Sequence, residues 1–237
     1  MSNKLKIVIC SYKANTEFKL CLNQIVNFGF TAENLQIYET SPVNYTFNRY
    51  ILDKYNIPYI NEPDGTYAET LNKALLEVDS PYALLLDSQC ILKASIDSYL
   101  QDMEDHKFQL MGEITNYENY KKIHKRVQPW WCLVDINFIQ ERKIKFSDLR
   151  RIRATHSESI NNMEYTPIPD EKIGIYYAPG STMYEDIMLN GGYAADIGED
   201  VPYIHIDSSN ENWIDQMYKM FNYDEKNLAK LGKEKDQ

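Results

Sequence analysis

The sequence lacks paired cysteines, a positive charge balance and long apolar runs, and each lack excludes a class of protein. Its four cysteines show no CxxC spacing, so neither a zinc site nor a small disulfide framework is indicated, and we expect reduced thiols. The formal net charge of -10 argues against broad nucleic-acid binding, which depends on clustered Lys and Arg. The apolar stretch in MSNKLKIVIC is too short for a secretory signal or a membrane span, and it is typical of a first strand. These features predict a cytoplasmic protein without a transmembrane segment.

The sequence does contain enough apolar residues for a packed core. Of 237 residues, 43% are hydrophobic and 25% are charged, which is typical of a globular chain. The length suits one large domain. We expect it to cover residues 1–222, followed by a charged tail, residues 223–237, that frays.

Short apolar runs alternate with segments of helical periodicity along the first ninety residues. The predicted strands are Leu5–Cys10, Leu35–Glu39, Ile57–Ile60 and Tyr82–Asp87. The predicted helical stripes between them are Phe18, Cys21, Leu22 and Ile25, then Phe47, Tyr50 and Ile51, then Ala68, Leu71, Leu75 and Val78. This alternation predicts an α/β fold in which helices cover a mostly parallel sheet.

Polar residues follow each of these strands where the apolar run stops. They are Ser11 and Tyr12, Glu39 and Thr40, Asn61 and Glu62, and Asp87. Because parallel strands end at the same edge, and ligands of open α/β sheets bind there, we expect the functional site at this edge.

Several motifs occur in an order that resembles one family. They are IVICSYK in the first strand and loop, GTYAETLNKAL in the third helix, LLLDSQC at the fourth strand end, and GSTMYEDIMLNGGYAADIGEDVPYIHI near the C-terminus. Together they resemble the family-two-like nucleotide-sugar glycosyltransferases of the GT-A fold. The resemblance implies a single Rossmann-like domain, with a nucleotide-binding half at 1–100 and an acceptor-side half at 101–222.

The resemblance also implies which residues hold the donor, most simply a UDP-sugar. Asp87 and Gln89 stand where the family has its DxD motif, and His205 would complete the coordination of Mn²⁺ or Mg²⁺. The residues that fall where relatives hold the nucleotide are Ser11, Tyr12, Glu39, Asn72, Asp87 and Ser88. Gln89 departs from the motif, because an amide oxygen brings no charge and weakens a cation site. Asp87 as a cap on its strand end and His205 as a structural histidine remain the alternatives.

An inverting transferase needs a carboxylate that takes the proton from the acceptor hydroxyl. Glu185 and Asp186 are the candidates, because one of the two can face the cleft. Many relatives have an aspartate before the glycine of this block, where this chain has Ala178, Pro179 and Gly180. The alternative is that both carboxylates lie on the helix surface, and Asp170 is then the fallback.

The acceptor-side half contains two further features. In VQPWWC, Trp130 and Trp131 are adjacent on a predicted strand, so at most one of them can face a cleft while the other joins the core, and we expect both to pack in the core. The polar segment from Ser147 to Lys172 is typical of a mobile loop over a site, and its Arg150, Arg151 and Arg153 are candidates to meet the diphosphate.

These observations favour a glycosyltransferase whose acceptor is a glycan, a protein or a lipid-linked molecule. A nucleotidyltransferase is a weaker alternative, because ICSYKANTE lacks the glycine-rich basic loop that such enzymes have after the first strand. A non-catalytic binding module is the other alternative, and Gln89 and Ala178 are its evidence.

Overall fold

The structure is a computed structural model that describes residues 4–14, 16–63, 66–119, 122–146, 151–152, 164–165, 179–198, 200–206 and 211–232. Its strands are β1 (Leu5–Ser11), β2 (Leu35–Glu39), β3 (Ile60–Asn61), β4 (Tyr82–Asp87), β5 (Cys90–Leu92), β6 (Leu110–Asn119), β7 (Lys122–Asp135), β8 (Arg151–Ile152), β9 (Glu164–Tyr165), β10 (Ala194–Asp196) and β11 (Tyr203–His205). Its α-helices are α1 (Thr16–Asn27), α2 (Phe47–Lys54), α3 (Tyr67–Glu77), α4 (Asp97–His106), α5 (Ile136–Arg142), α6 (Pro179–Leu189), α7 (Glu211–Met220) and α8 (Glu225–Ala229).

Seven of these strands form one mixed sheet in the order β10-β6-β7-β4-β1-β2-β3. β7 runs antiparallel to β4 and β6, whereas the other pairs are parallel. Small ladders join β11 to β5 and β8 to β9. The predicted α/β fold with a mostly parallel sheet is therefore confirmed.

Helices cover both faces of this sheet, because side chains of a strand alternate between its faces. Ile7 and Ile9 of β1 lie in the core that includes α1, α4 and α8, whereas Val8 lies in the core with α3, α5 and α6. Within the described ranges, no helix has both the length and the apolar character that crossing a membrane requires. All four cysteines are free and buried, as expected for thiols that pack as small hydrophobic groups.

The predicted helical stripes of α1 and α3 are buried, but the stripe of α2 is wrong at one residue. Tyr50 is 59% exposed, and the buried positions are instead Asn48, Ile51 and Leu52. The helix is rotated because Asn48 points inward and makes hydrogen bonds to buried polar groups. The predicted stripe was chosen from apolar residues alone, so it could not place Asn48 on the buried face of α2.

The predicted tail is also wrong in part, because α8 belongs to the core. Leu228 and Leu231 are fully buried in the cluster that includes Phe18 of α1. The Asn227 amide donates to Asn23 Oδ1 at 3.0 Å and ties α8 to α1. The charges of this segment lie on the outer face of a short helix, so a charged composition does not imply fraying here.

We predict that Leu228→Ala lowers the free energy of unfolding by about 2–5 kcal/mol, because it leaves a cavity in the core. The matched control is Leu76→Ala, since Leu76 is 65% exposed on α3 and the same truncation there should change stability by about 0.5 kcal/mol or less. Urea unfolding measures both. Equal stability of Leu228→Ala and the wild type would show that α8 does not contribute to the core.

Candidate active site

The carboxyl ends of β4, β1 and β2 lie side by side at one edge of the sheet. Cys10 pairs with Asp87, and Ser11 pairs with Glu39. The chain passes from β1 outward to β2 and β3 and then returns to β4 on the other side of β1. Such a reversal of strand order is the place where open α/β sheets bind ligands. The predicted edge is therefore present, with Asp87 beside β1.

Asp87 is held by the tight turn that joins β4 to β5. Its Oδ1 accepts a hydrogen bond from the Gln89 backbone N–H at 2.8 Å, and Ser88 is buried inside the turn. Burial raises the pKa of Asp87, whereas the hydrogen bond from Gln89 and the nearby His205 lower it. Burial has the larger effect, so the carboxylate is less well hydrated than it would be in the unfolded chain. A nearby cation would relieve that loss.

His205 reaches Asp87 through the ladder between β11 and β5. His205 pairs with Cys90, and the Ile206 N–H donates to the Gln89 carbonyl oxygen at 3.0 Å. This pairing brings His205 beside the turn that holds Asp87 and Gln89, and a shared role of the three in binding a cation stays a prediction. The side chain of His205 is exposed, so its imidazole is open to a ligand.

Trp130 covers one side of His205. A large bulge in β7 places Trp130 in this position. Cys132 pairs with Gly112 and Val127 pairs with Ile114, so Glu113 alone on β6 faces the four residues from Gln128 to Trp131. The Trp130 and His205 rings stack with centroids 5.0 Å apart. Trp131 is buried against Tyr203, with ring centroids 5.9 Å apart. Trp131 joins the core as expected, whereas Trp130 is only partly buried. Both tryptophans contact Tyr203, because the bulge breaks the alternation of a regular strand.

Ser11 and Glu39 lie in a buried polar network under this edge. The Asn48 amide donates to Ser11 Oγ at 2.6 Å and to Glu39 Oε2 at 3.2 Å, and Glu39 Oε1 accepts from the Ser41 N–H at 3.1 Å. An Arg49 guanidinium nitrogen lies 3.5 Å from Glu39 Oε1. Asn48 and Arg49 were missed from the sequence, although a polar residue at an inward helix position is a signal that could have found Asn48.

Tyr12 and Asn72, the two other predicted nucleotide contacts, differ in exposure. Tyr12 is 52% exposed, and the Lys13 ammonium lies 5.1 Å from its ring centroid. Asn72 makes two hydrogen bonds to the backbone of Phe146, donating at 2.8 Å and accepting at 2.7 Å. In this structure Asn72 therefore ties α3 to the segment after α5, and its contact with a nucleotide stays a prediction.

The two candidate bases lie on α6, which is anchored to β7 by Gly180. A Cβ atom at Gly180 would lie 1.8 Å from the Val127 carbonyl oxygen, so only glycine permits this approach. Glu185 is buried and Asp186 is partly exposed. Glu185 is thus not an ordinary surface carboxylate.

Several other predicted residues lie outside the part of the chain that the structure describes. They are Arg150, Arg153, Asp170, Ala178 and most of the segment 147–172, of which β8 and β9 are described. Their predicted roles stay predictions.

The donor set at Asp87 fits a divalent cation that takes most of its ligands from elsewhere. One carboxylate, one amide and one imidazole suit Mn²⁺, and the carboxylate and amide oxygens suit Mg²⁺. In the described ranges, no group of three or more His, Cys, Asp or Glu side chains is arranged to hold a metal. A cation here would therefore need phosphate oxygens and water to complete its coordination.

Comparison with solved structures shows the same fold in two proteins that were solved with nucleotide sugars. TarS of S. aureus, solved as residues 1–349 with UDP-GlcNAc, superposes with a TM-score of 0.57 at 12% identity, and the match covers 92% of this chain and 65% of that solved chain. The mannosyltransferase PcManGT of Pyrobaculum calidifontis, solved with GDP-Man and Mn²⁺, gives 0.57 at 11% identity, covering 93% of this chain and 64% of that one. The chain thus has a GT-A-like α/β fold and spans just under two thirds of either neighbour. No protein-family model and no curated protein matches the sequence.

We predict that Asp87→Asn raises the melting temperature of the metal-free protein at pH 7. The asparagine keeps the oxygen that accepts from Gln89 and removes the poorly hydrated charge. Because the folded pKa of Asp87 lies above its unfolded value of about 3.9, the carboxylate disfavours folding above the folded pKa. The difference between variant and wild type should therefore shrink as the pH falls toward about 4. Each kcal/mol relieved corresponds to roughly 2–4 °C in a protein of this size.

Thermal melts in a chelator at pH 7 and at low pH measure this difference. Asp200→Asn is the control, since the Asp200 side chain is fully exposed and its charge is already hydrated. A variant at position 87 that melts at or below the wild type at pH 7 would contradict the prediction.

Proposed function

We propose that this protein is a glycosyltransferase that moves a sugar from a nucleoside-diphosphate donor to a hydroxyl group of an acceptor. The observation that carries the proposal is the meeting of Asp87 and His205 at the edge where strand order reverses. A carboxylate with a raised pKa beside an open imidazole suits a cation bound with a diphosphate. The shared fold of TarS and PcManGT, solved with UDP-GlcNAc and with GDP-Man and Mn²⁺, supports this choice of donor class.

In this proposal Asp87, Gln89 and His205 hold Mn²⁺ or Mg²⁺ next to the donor. A bound cation neutralises the charge that grows on the diphosphate as the sugar leaves. Gln89 contributes an uncharged oxygen, so the cation depends more strongly on the donor phosphates than it would with a second aspartate. Metal and nucleotide should then bind together.

The donor nucleoside lies over β1 and β2 in this proposal. Tyr12 offers an exposed ring on which a base can stack, and Lys13 places a positive charge beside it. Ser11 and Glu39 form the polar floor below, where Arg49 balances the charge of Glu39. The floor is therefore close to neutral and does not repel a diphosphate.

The transfer itself exchanges one bond at the anomeric carbon. The acceptor oxygen forms a bond to this carbon, the bond from the carbon to the phosphate oxygen breaks, and the nucleoside diphosphate leaves. The proton of the acceptor hydroxyl goes to a carboxylate on α6. Asp186 is the better candidate for this proton because it is partly exposed, whereas Glu185 is buried. The acceptor is a glycan, a protein or a lipid-linked molecule.

We predict that UDP-sugars, tested as a panel with GDP-Man, raise the melting temperature only when Mn²⁺ is present. A donor at 100 times its dissociation constant stabilises the folded state by about 2.7 kcal/mol. Asp87→Ala should abolish the shift, whereas Asp200→Ala should keep it. No shift with any donor, with or without Mn²⁺, would count against the enzyme and favour a non-catalytic module.

We predict that Asp186→Asn lowers the rate of sugar transfer about 10²- to 10⁴-fold and leaves donor affinity unchanged, because it removes the proton acceptor and keeps the size of the side chain. Glu185→Gln is the comparison at the neighbouring carboxylate and should have the smaller effect. Product formation with a responsive donor gives the rate, and calorimetry gives the affinity. A rate that falls more for Glu185→Gln would transfer the role to Glu185.

A further inference from the structure

The imidazole of His205 is oriented by a neighbouring ring. Histidines that bind metals usually donate their second ring N–H to a carboxylate or carbonyl, which fixes the ring. Within the ranges that the structure describes, the ring nitrogens of His205 make no hydrogen bond. Its ring instead lies 5.0 Å from that of Trp130, with an angle of 20° between the planes. Stacking on Trp130 therefore orients the His205 ring, as a hydrogen bond orients the ring of other metal-binding histidines.

Trp130 is itself held in place by a chain of hydrogen bonds. Its Nε1–H donates to the Tyr203 hydroxyl at 2.9 Å, and that hydroxyl donates to Glu113 Oε2 at 2.5 Å. Glu113 is the residue of β6 that faces the β7 bulge. The hydrogen bonds through Tyr203 therefore connect Trp130 in the bulge to the strand opposite it. Tyr203 is two residues from His205 on β11 and packs on Trp131.

Tyr203, which accepts the hydrogen bond of the Trp130 indole, is buried, and the residues around the pair are packed or hydrogen-bonded. Trp131 is fully buried, and Tyr99 meets its edge at a centroid distance of 5.5 Å. The Tyr67 hydroxyl donates to the carbonyl oxygen of Pro129, the residue before Trp130, at 3.0 Å. The indole thus cannot turn away from His205 without breaking several contacts.

We propose that Trp130 is a positioning residue for the cation site: its indole holds the imidazole of His205 in the orientation that binds the metal. This inference rests on the proposed function, because it assigns a part of the same site. Trp130 does not touch the donor or the reacting atoms in this assignment. Loss of the indole should lower the affinity for the metal, because the His205 imidazole is then no longer held in one orientation.

The test is the affinity for Mn²⁺, measured from the signal of free Mn²⁺ in electron paramagnetic resonance with and without UDP. Trp130→Leu removes the stacking ring, and we expect about a 10-fold or greater loss of Mn²⁺ affinity, the size typical of changes to residues that orient metal ligands. Trp130→Phe keeps a stacking ring without the N–H, and we expect a loss of about 3-fold or less, as partial rescue by the more conservative variant.

Trp131→Phe is the matched control for Trp130→Phe, since it makes the same change one residue along the chain and keeps a ring that can stack on Tyr203. We expect it to lower the melting temperature, because Trp131 is fully buried, and to leave Mn²⁺ affinity within about 3-fold of the wild type. If Trp130→Leu does not fold, Tyr203→Phe decides the matter, because it removes only the hydroxyl that anchors the indole. A reduced Mn²⁺ affinity of Tyr203→Phe would then support the inference, and an unchanged affinity would overturn it.

The remaining outcomes separate this inference from the proposed function. Wild-type protein that binds Mn²⁺ with UDP, and a folded Trp130→Leu that binds it equally well, would overturn the inference and leave the proposed function standing. Equal losses in Trp130→Leu and Trp130→Phe would also overturn it, because stacking would not be the cause. Wild-type protein that binds no Mn²⁺ in either titration would remove the metal assignment and the inference together.

Discussion

The site depends on the pairing of β4 on both of its edges, parallel to β1 and antiparallel to β7. This double pairing buries Leu84, Leu85 and Leu86 on both faces of the sheet. Asp87 is the residue at which the pairing with β1 ends, so a carboxylate stands where the apolar interior stops. The raised pKa of Asp87 is a direct result of that position. A central strand therefore delivers a poorly hydrated charge to the edge of the sheet.

Much of the first ninety residues could be predicted from the sequence, because local periodicity determines those elements. The bounds of β2 and β4 and the buried stripes of α1 and α3 were predicted correctly for this reason. The stripe of α2 was wrong at Tyr50, since the inward residue Asn48 is polar. The prediction of a fraying tail was wrong for the described part of the tail, because this charged segment buries two leucines that are three residues apart.

The candidate site could be predicted only in part, from strand periodicity and from the order of the motifs. The place of Asp87 followed from strand periodicity, whereas the proximity of His205 followed from resemblance, since no local pattern pairs β11 with β5. The roles of Trp130, Tyr203 and Glu113 had no signal in the sequence. They depend on a bulge that gives β7 four residues opposite one of β6, and the register of two strands is not visible in either strand alone.

The packing of α8 on α1 also constrains how the chain folds during synthesis. α1 precedes α8 in the chain, so the apolar cluster that contains Phe18 of α1 is incomplete until Leu228 and Leu231 have left the ribosome. Until then α1 presents an incomplete apolar surface, and nascent chains with such surfaces are prone to misassembly and bind chaperones. Contacts between segments that are far apart in sequence also slow folding. Burial of the apolar face of α1 is therefore completed only when α8, the last helix described, packs on it.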